Sequence, residues 1–269
     1  MKNSPLAAVL LIFFTSFSIA ADPQSPTKKI NLLNAKDHGG LSTWLRGSET
    51  KDPKGVFQIR DGQLHVSGDG FGYIATKEQW ANYRLNLEYR WGKKTDGGKY
   101  VRNSGLLLHC ATKDGGAGGT WPACIECQLA QGCVGDLIII RGKDHLDQPV
   151  PVSFTTTTST DPSGRRHRWD PNGKMQQFPP ARGQLWWNNH DWDFKELLDT
   201  NGKNDVESKK DDWTRLECIS DKDTISISVN GHQVNQVSKV FPTAGRIAVQ
   251  CEGFELFVRT WEIMPLSAK

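Results

Sequence analysis

The chain lacks sustained 3.6-residue apolar periodicity, blocks of like charge and any apolar run long enough to span a bilayer. The first absence excludes helical bundles and alternating strand–helix folds. A short helix is expected only around Lys77 to Asn82 or Phe194 to Leu198. With 33 basic residues nearly cancelling 30 acidic ones, neither a nucleic-acid footprint nor a membrane-binding patch is predicted. The apolar run Leu6 to Ile19 falls short of the ~18 residues of a span. Lys2 precedes it and Ser18-Ile19-Ala20 or Ile19-Ala20-Ala21 follows, so residues 1–21 read as a signal peptide. No cysteine follows that pattern, so no lipid anchor is expected. Residues 22–269 then form one exported domain, periplasmic or extracellular, with no linker between two core patterns.

What is present is a run of strands and turns. Thr224 to Val229 alternate, Asn230-Gly231 supplies the positive φ angles of a type I′ turn, and His232 to Val237 return. Phe57 to Arg60, Asp61-Gly62 and Gln63 to Val66 repeat that logic. Later strands are expected at Arg246 to Glu252 and Glu255 to Ile263. The pattern predicts an all-β, two-sheet antiparallel sandwich, with a barrel as the alternative. Its core comprises Leu85, Leu87, Ile125, Ile225, Ile227, Ile247, Val249 and Val258. Each buried side chain of this kind contributes about 1.5–3 kcal/mol, so the set outweighs any charge pair.

Three segments carry ionisable groups along one strand face. Arg84, Asn86, Glu88 and Arg90 alternate with Leu85, Leu87, Tyr89 and Trp91; Asn103 to Cys110 end in His109 and Cys110; Glu126 and Gln128 alternate with Ile125, Cys127 and Leu129. In one sheet, Glu88, Arg90, His109, Glu126 and Gln128 would share a polar floor. The competing reading is an ordinary solvated face. From Val150 to Asp212 the rhythm breaks into a long tryptophan-rich loop, in which Trp186 and Trp187 are candidate sugar-stacking platforms; pinning the loop is the bland role of such indoles. Gly115-Gly116-Ala117-Gly118-Gly119 is a flexible connector without the strand-to-helix setting of a phosphate loop.

Six cysteines in an exported chain suggest disulfides, one or two among Cys110, Cys124, Cys127 and Cys133. The alternative is zinc held by Cys124 and Cys127 with His109 and Cys133.

The order of Asn103-Ser104-Gly105, Glu126-Cys127-Gln128, Asn230-Gly231 and Gly245 to Gln250 resembles the 3-keto-disaccharide hydrolase family. Leu33 to Asp37 followed by Trp44 fits that family's start, Trp213 fits its later half, and the resemblance runs from about Ile30 to the C-terminus. The stretch Arg141 to Asp212 and the cysteine number depart from it. The resemblance implies a concanavalin A-like jelly-roll and cleavage of 3-keto-glycosides. A C3 ketone acidifies the C2 hydrogen, so a base can remove it and the C1 oxygen can leave; water addition makes the net reaction hydrolysis. Glu126 and His109 are the catalytic candidates, with Glu88, Arg90, Asn103, Gln128, Trp186 and Trp187 binding substrate. Their individual roles stay open: His109 or Glu126 as base, Arg90 or a metal at the oxyanion, Glu88 as acid or ligand. A divalent metal ion is the one cofactor this chemistry suggests, since an oxo-hydroxy pair chelates. The expected partner is an oligosaccharide or glycoside substrate. A non-catalytic lectin-like module is the rival. Hydrolysis by two carboxylates loses ground because the Glu-x-Asp-x-x-Glu pattern is missing.

Overall fold

The computed structural model describes residues 22–34, 40–179 and 183–266. The expected signal peptide, and Ala35 to Asp37 of the opening motif, lie outside the described residues. The strands are β1 (Ile30–Asn31), β2 (Leu41–Leu45), β3 (Phe57–Arg60), β4 (Gln63–Val66), β5 (Phe71–Thr76), β6 (Tyr83–Trp91), β7 (Gly105–Cys110), β8 (Cys124–Gln128) and β9 (Leu137–Ile140). They continue as β10 (Ser153–Thr160), β11 (His167–Trp169), β12 (Lys174–Phe178), β13 (Gln184–Trp186), β14 (Thr214–Asp221), β15 (Thr224–Val229), β16 (His232–Phe241), β17 (Arg246–Glu252) and β18 (Leu256–Pro265). Among the described residues there is no helix. The segment expected to turn helically after Lys77 instead bridges strands, with Trp80 N donating to Gly245 O and Gly245 N to Trp80 O.

Two ladders result. One runs β3-β4-β18-β6-β14-β15-β16. The other runs β2-β5-β17-β7-β8-β9-β13-β11-β10, with β12 also on β10. Strand β16 belongs to both, pairing with β15 over its first half and β10 near its end. The fold is a sheet-rich sandwich or barrel of antiparallel strands, with β11 and β13 the parallel exception.

The hairpin signals form as their turn chemistry requires. Asn230 and Gly231 adopt φ 50 and 84, and Asp61 and Gly62 adopt φ 50 and 72, matching the right-handed twist of the flanking strands. All eight expected core residues are fully buried in one cluster fed by the inward faces of both ladders. The stretch after Val150 is not one long loop. It holds β10 to β13, and Thr155 to Thr160 lie within β10, where β-branched side chains suit a pleated surface. Among its described residues, the longest stretch without a strand is 187–213.

Candidate functional site

Register fixes what faces outward on the second ladder. Trp44 pairs with Tyr73, Tyr73 with Gln250, and Gly105 with Gln128. One step along, Ala75 pairs with Ala248, Ala248 with Leu107, Leu107 with Glu126, and Glu126 with Ile138. Because alternate residues share a face, Glu252, Gln250, Gly105, Glu126 and Gln128 emerge together on the face turned from the main core. Tyr73, Ala75, Leu107, Cys110, Cys124 and Ala248 form an apolar border there, with Trp44, Trp121 and Ile140 packed against it.

Gly105 shapes this floor. A Cβ at that position would collide with the Glu126 carboxylate on one side and the Gln250 amide on the other, so the missing side chain lets both lie low over the backbone. Asn103 Nδ2 donates to Glu252 Oε2 at 2.5 Å. Asn103 Oδ1 and both amide atoms of Gln250 are buried without protein partners, an arrangement that native interiors rarely leave unanswered. Gln128 faces the floor too, but its Oε1 accepts from Leu129 N and Ala130 N at 3.0 and 3.2 Å, closing the turn after β8.

Two carboxyls of this floor are raised above their ordinary range. Burial, reinforced by the charge of Glu252, pushes Glu126 well above the usual carboxylate range. Burial lifts Glu252 to about 7 against the opposing pull of Arg46. The β7–β8 connector lies over this face. Trp44 Nε1 donates to Gly119 O at 3.2 Å, Arg46 Nε to Thr120 Oγ1 at 2.5 Å, and Asp114 bonds both the Tyr73 hydroxyl and Arg246. A cleft lined by Arg46, Lys54, Asp69 and Phe71 opens near one end, and one lined by Lys77, Cys110, Lys113 and Arg246 near the other.

The floor therefore has different members from those the sequence suggested. Glu126, Gln128 and Asn103 are present. Glu88 and Arg90 are not, because β6 belongs to the first ladder; they lie on its outer face, where Glu88 meets Arg259 and Thr260 and Arg90 stacks over Trp213 and Phe257. His109 is also absent. A bulge between β7 and β17 leaves two residues of β7, Leu108 and His109, opposite one of β17, Ile247, and His109 adopts φ 55. Its side chain turns into the core, hydrogen-bonded through Nδ1 to Pro242 O at 2.8 Å and through Nε2 to Ser220 Oγ at 3.2 Å. Burial there lowers its pKa to about 4.

Trp187 is buried in the core, and Trp186 is covered by ring contacts with His190 at 3.8 Å and Trp192 at 5.2 Å, so neither indole presents a free platform. The sequence reading missed Glu252 and Gln250, although their two-residue spacing with Ala248 along β17 signals a shared face. All six cysteines are free thiols. Cys124 and Cys127 point to opposite faces of β8, which rules out a shared metal or a mutual bridge; Cys110 and Cys124 lie side by side on the floor's border, and Cys133 packs elsewhere.

The family model for the 3-keto-alpha-glucoside-1,2-lyase-like domain matches residues 28–264. The chain belongs to this family. No curated protein matches it. Among solved structures it is similar to a glycosyl hydrolase candidate from Parabacteroides distasonis ATCC 8503, at 16% identity and TM-score 0.48, over 89% of this chain and 100% of that one. It is also similar to carbohydrate-binding module CBM66 from Bacillus subtilis, at 9% identity and TM-score 0.41, over 90% and 99%. The metal-free Emp46p carbohydrate recognition domain aligns at 10% identity and TM-score 0.42, over 87% and 94%. At such scores these likenesses decide nothing about chemistry.

Proposed function

We propose that the floor around Gly105 is the active site of a carbohydrate-active enzyme that cleaves 3-keto-glycosides by elimination across C1 and C2. The observation that carries the reading is the Glu126–Glu252 pair. Two interacting carboxyls with separated proton affinities, lying over the bare backbone at Gly105 beside the unpartnered Gln250 amide, supply one base and one acid at neutral pH. Family membership supports the substrate class. The jelly-roll arrangement implied by the resemblance belongs to the same reading.

In this mechanism ionised Glu252 takes the C2 proton that the C3 ketone has acidified. The electron pair left behind is held as an enolate, whose oxygen the Gln250 amide can meet, since its N–H groups have no other partner. Collapse of the enolate forms the C1–C2 double bond and breaks the C1–oxygen bond, and protonated Glu126 gives its proton to the departing oxygen. Water can then add to the enone: Glu126 recovers a proton from the water, the hydroxyl joins C1, and Glu252 returns its proton to C2. The balance is hydrolysis with both carboxyls restored. A divalent ion fits this chemistry as well, because Glu126, Glu252, Asn103 Oδ1 and Gln250 Oε1 are hard oxygen donors. When bound it would polarise the keto oxygen.

Incubation of the protein with 3-keto-glucosides beside their unoxidised parents, with products followed by mass spectrometry, tests the proposal. Aglycone release from the keto-sugars alone is expected. Binding of both without release from either would identify a sugar-binding module instead.

A further inference from the structure

A second cluster lies away from the floor, where the irregular segment 187–213 meets the turn between β8 and β9. Cys133 and Asp136 sit in that turn, and His190 follows β13. Cys133 Sγ lies 3.9 Å from His190 Nε2 and 4.0 Å from Glu196 Oε1. His190 Nδ1 lies 3.1 Å from both carboxylate oxygens of Asp136. Asp136 is held in turn by Trp187 N at 2.7 Å and Gln184 Nε2 at 3.2 Å.

Those contacts set the tautomer. Asp136 accepts the proton on Nδ1, leaving the Nε2 lone pair aimed at the thiol, as in the carboxylate–histidine–metal relay that orients a ligating imidazole. The ring is locked by stacking on Trp186 at 3.8 Å and by the edge of Phe194 at 6.0 Å. Gly132, at φ 78, makes room for Phe194, whose ring a Cβ would strike.

We propose that Cys133, His190 and Glu196 bind a divalent ion that accepts thiolate, zinc by preference, with Asp136 positioning the imidazole. Tetrahedral zinc with bonds of about 2.3 Å to sulfur and 2.0–2.2 Å to nitrogen and oxygen places its ligand atoms about 3.6 Å apart. The separations of Cys133 Sγ from His190 Nε2 and from Glu196 Oε1 exceed that by a few tenths of an ångström; Cys133, Asp136 and His190 already hold ligand atoms within 4.8 Å of one another, and the exposed Glu196 carboxylate has to swing toward His190 to complete the set. Glu196 is exposed while Cys133 and His190 are 3% and 2% exposed, so the site opens to solvent only on the carboxylate side. The same enclosure argues against a thiol nucleophile on the Cys133–His190–Asp136 line, since a substrate would need access to the sulfur. A metal here would staple the least regular segment to the second ladder.

The test is zinc stoichiometry of the purified full chain after zinc loading and desalting, with cobalt exchanged in as a spectroscopic probe. One equivalent of zinc, and a thiolate-to-cobalt charge-transfer absorption, are expected in the wild type and in Glu88→Gln. Both should be lost in Cys133→Ser, and zinc retention should weaken in Glu196→Gln. The last substitution is at the surface and leaves the core untouched, so it keeps the test informative should Cys133→Ser fold poorly. Equal zinc content in wild type and Glu196→Gln, a cobalt spectrum without the thiolate band, or alkylation of Cys133 at the same rate with and without zinc would each overturn the proposal.

Discussion

The outer faces of the two ladders carry the same kind of sequence and behave differently. On the first, Glu88 alternates with core residues just as Glu126 does on the second. Burial pushes the Glu88 carboxyl up, but hydrogen bonds from Thr260 and Arg259 and the charge of Arg259 outweigh it, leaving Glu88 below its ordinary range. Glu126 has no such compensation, and burial beside Glu252 drives it far the other way. Alternation decides that a carboxylate leaves the core. What lies over the face decides whether it meets water and a counter-ion or a recess. Beside Glu126 that covering is the glycine-rich connector held by Trp44 and Arg46. A cation stacked on indole, Arg259 over Trp213 at 4.5 Å, does the neutralising on the other side.

Four substitutions or titrations sharpen this contrast. The largest expected effect is on turnover: Glu126→Gln should slow cleavage of a 3-keto-glucoside by roughly 10² to 10⁴-fold without lowering the melting temperature, measured by steady-state kinetics and thermal denaturation. Removing His109 should do the reverse. His109→Ala should cost about 2–4 kcal/mol in denaturant unfolding, with turnover per folded molecule retained, because the imidazole fills the core and answers Pro242 O and Ser220 Oγ.

The pH dependence of stability gives an intermediate effect with a definite sign. Glu252 is raised from 4.5 to about 7 on folding, so the stability it contributes is complete below 4.5 and is lost as pH rises toward 7. His109 is lowered from 6.5 to about 4, so its contribution is complete above 6.5 and is lost as pH falls toward 4. Melting curves of Glu252→Gln between those limits should therefore show a shallower decline with rising pH, the remainder coming from the raised carboxyls of Glu126 and Glu207, and keep the decline with falling pH. The smallest effect is expected on the other face: Glu88→Gln should change unfolding free energy by about 0–1 kcal/mol and leave turnover unaltered. A loss of turnover there comparable to that of Glu126→Gln would erase the distinction between the faces.

How far the sequence reaches follows from what alternation can and cannot encode. The hairpins at Asp61-Gly62 and Asn230-Gly231 were legible because positive φ at two successive residues demands those residue types. The outward aim of Glu126 and Gln128 was legible for the same local reason. His109 was misplaced because a bulge inserts one residue and inverts the parity that follows; it sits where Gly245, remote in sequence, passes so close to His109 and Cys110 that a Cβ there would strike their backbone. Glu88 and Arg90 were misplaced because strand pairing, a long-range property, put β6 beside β14 and β18. The tryptophans after Val150 announced packing, and packing is what Trp186 and Trp187 do.

In the proposed reaction Glu252 removes the C2 proton of a 3-keto sugar while Glu126 serves the departing oxygen. Its most direct measurement is wash-in of deuterium at C2 of a 3-keto-glucoside in D₂O, followed by NMR for the wild type and Glu252→Gln. Rapid exchange in the wild type, slowed by roughly 10² to 10⁴-fold in the folded variant, is the predicted result. Exchange at the wild-type rate in Glu252→Gln would contradict the account.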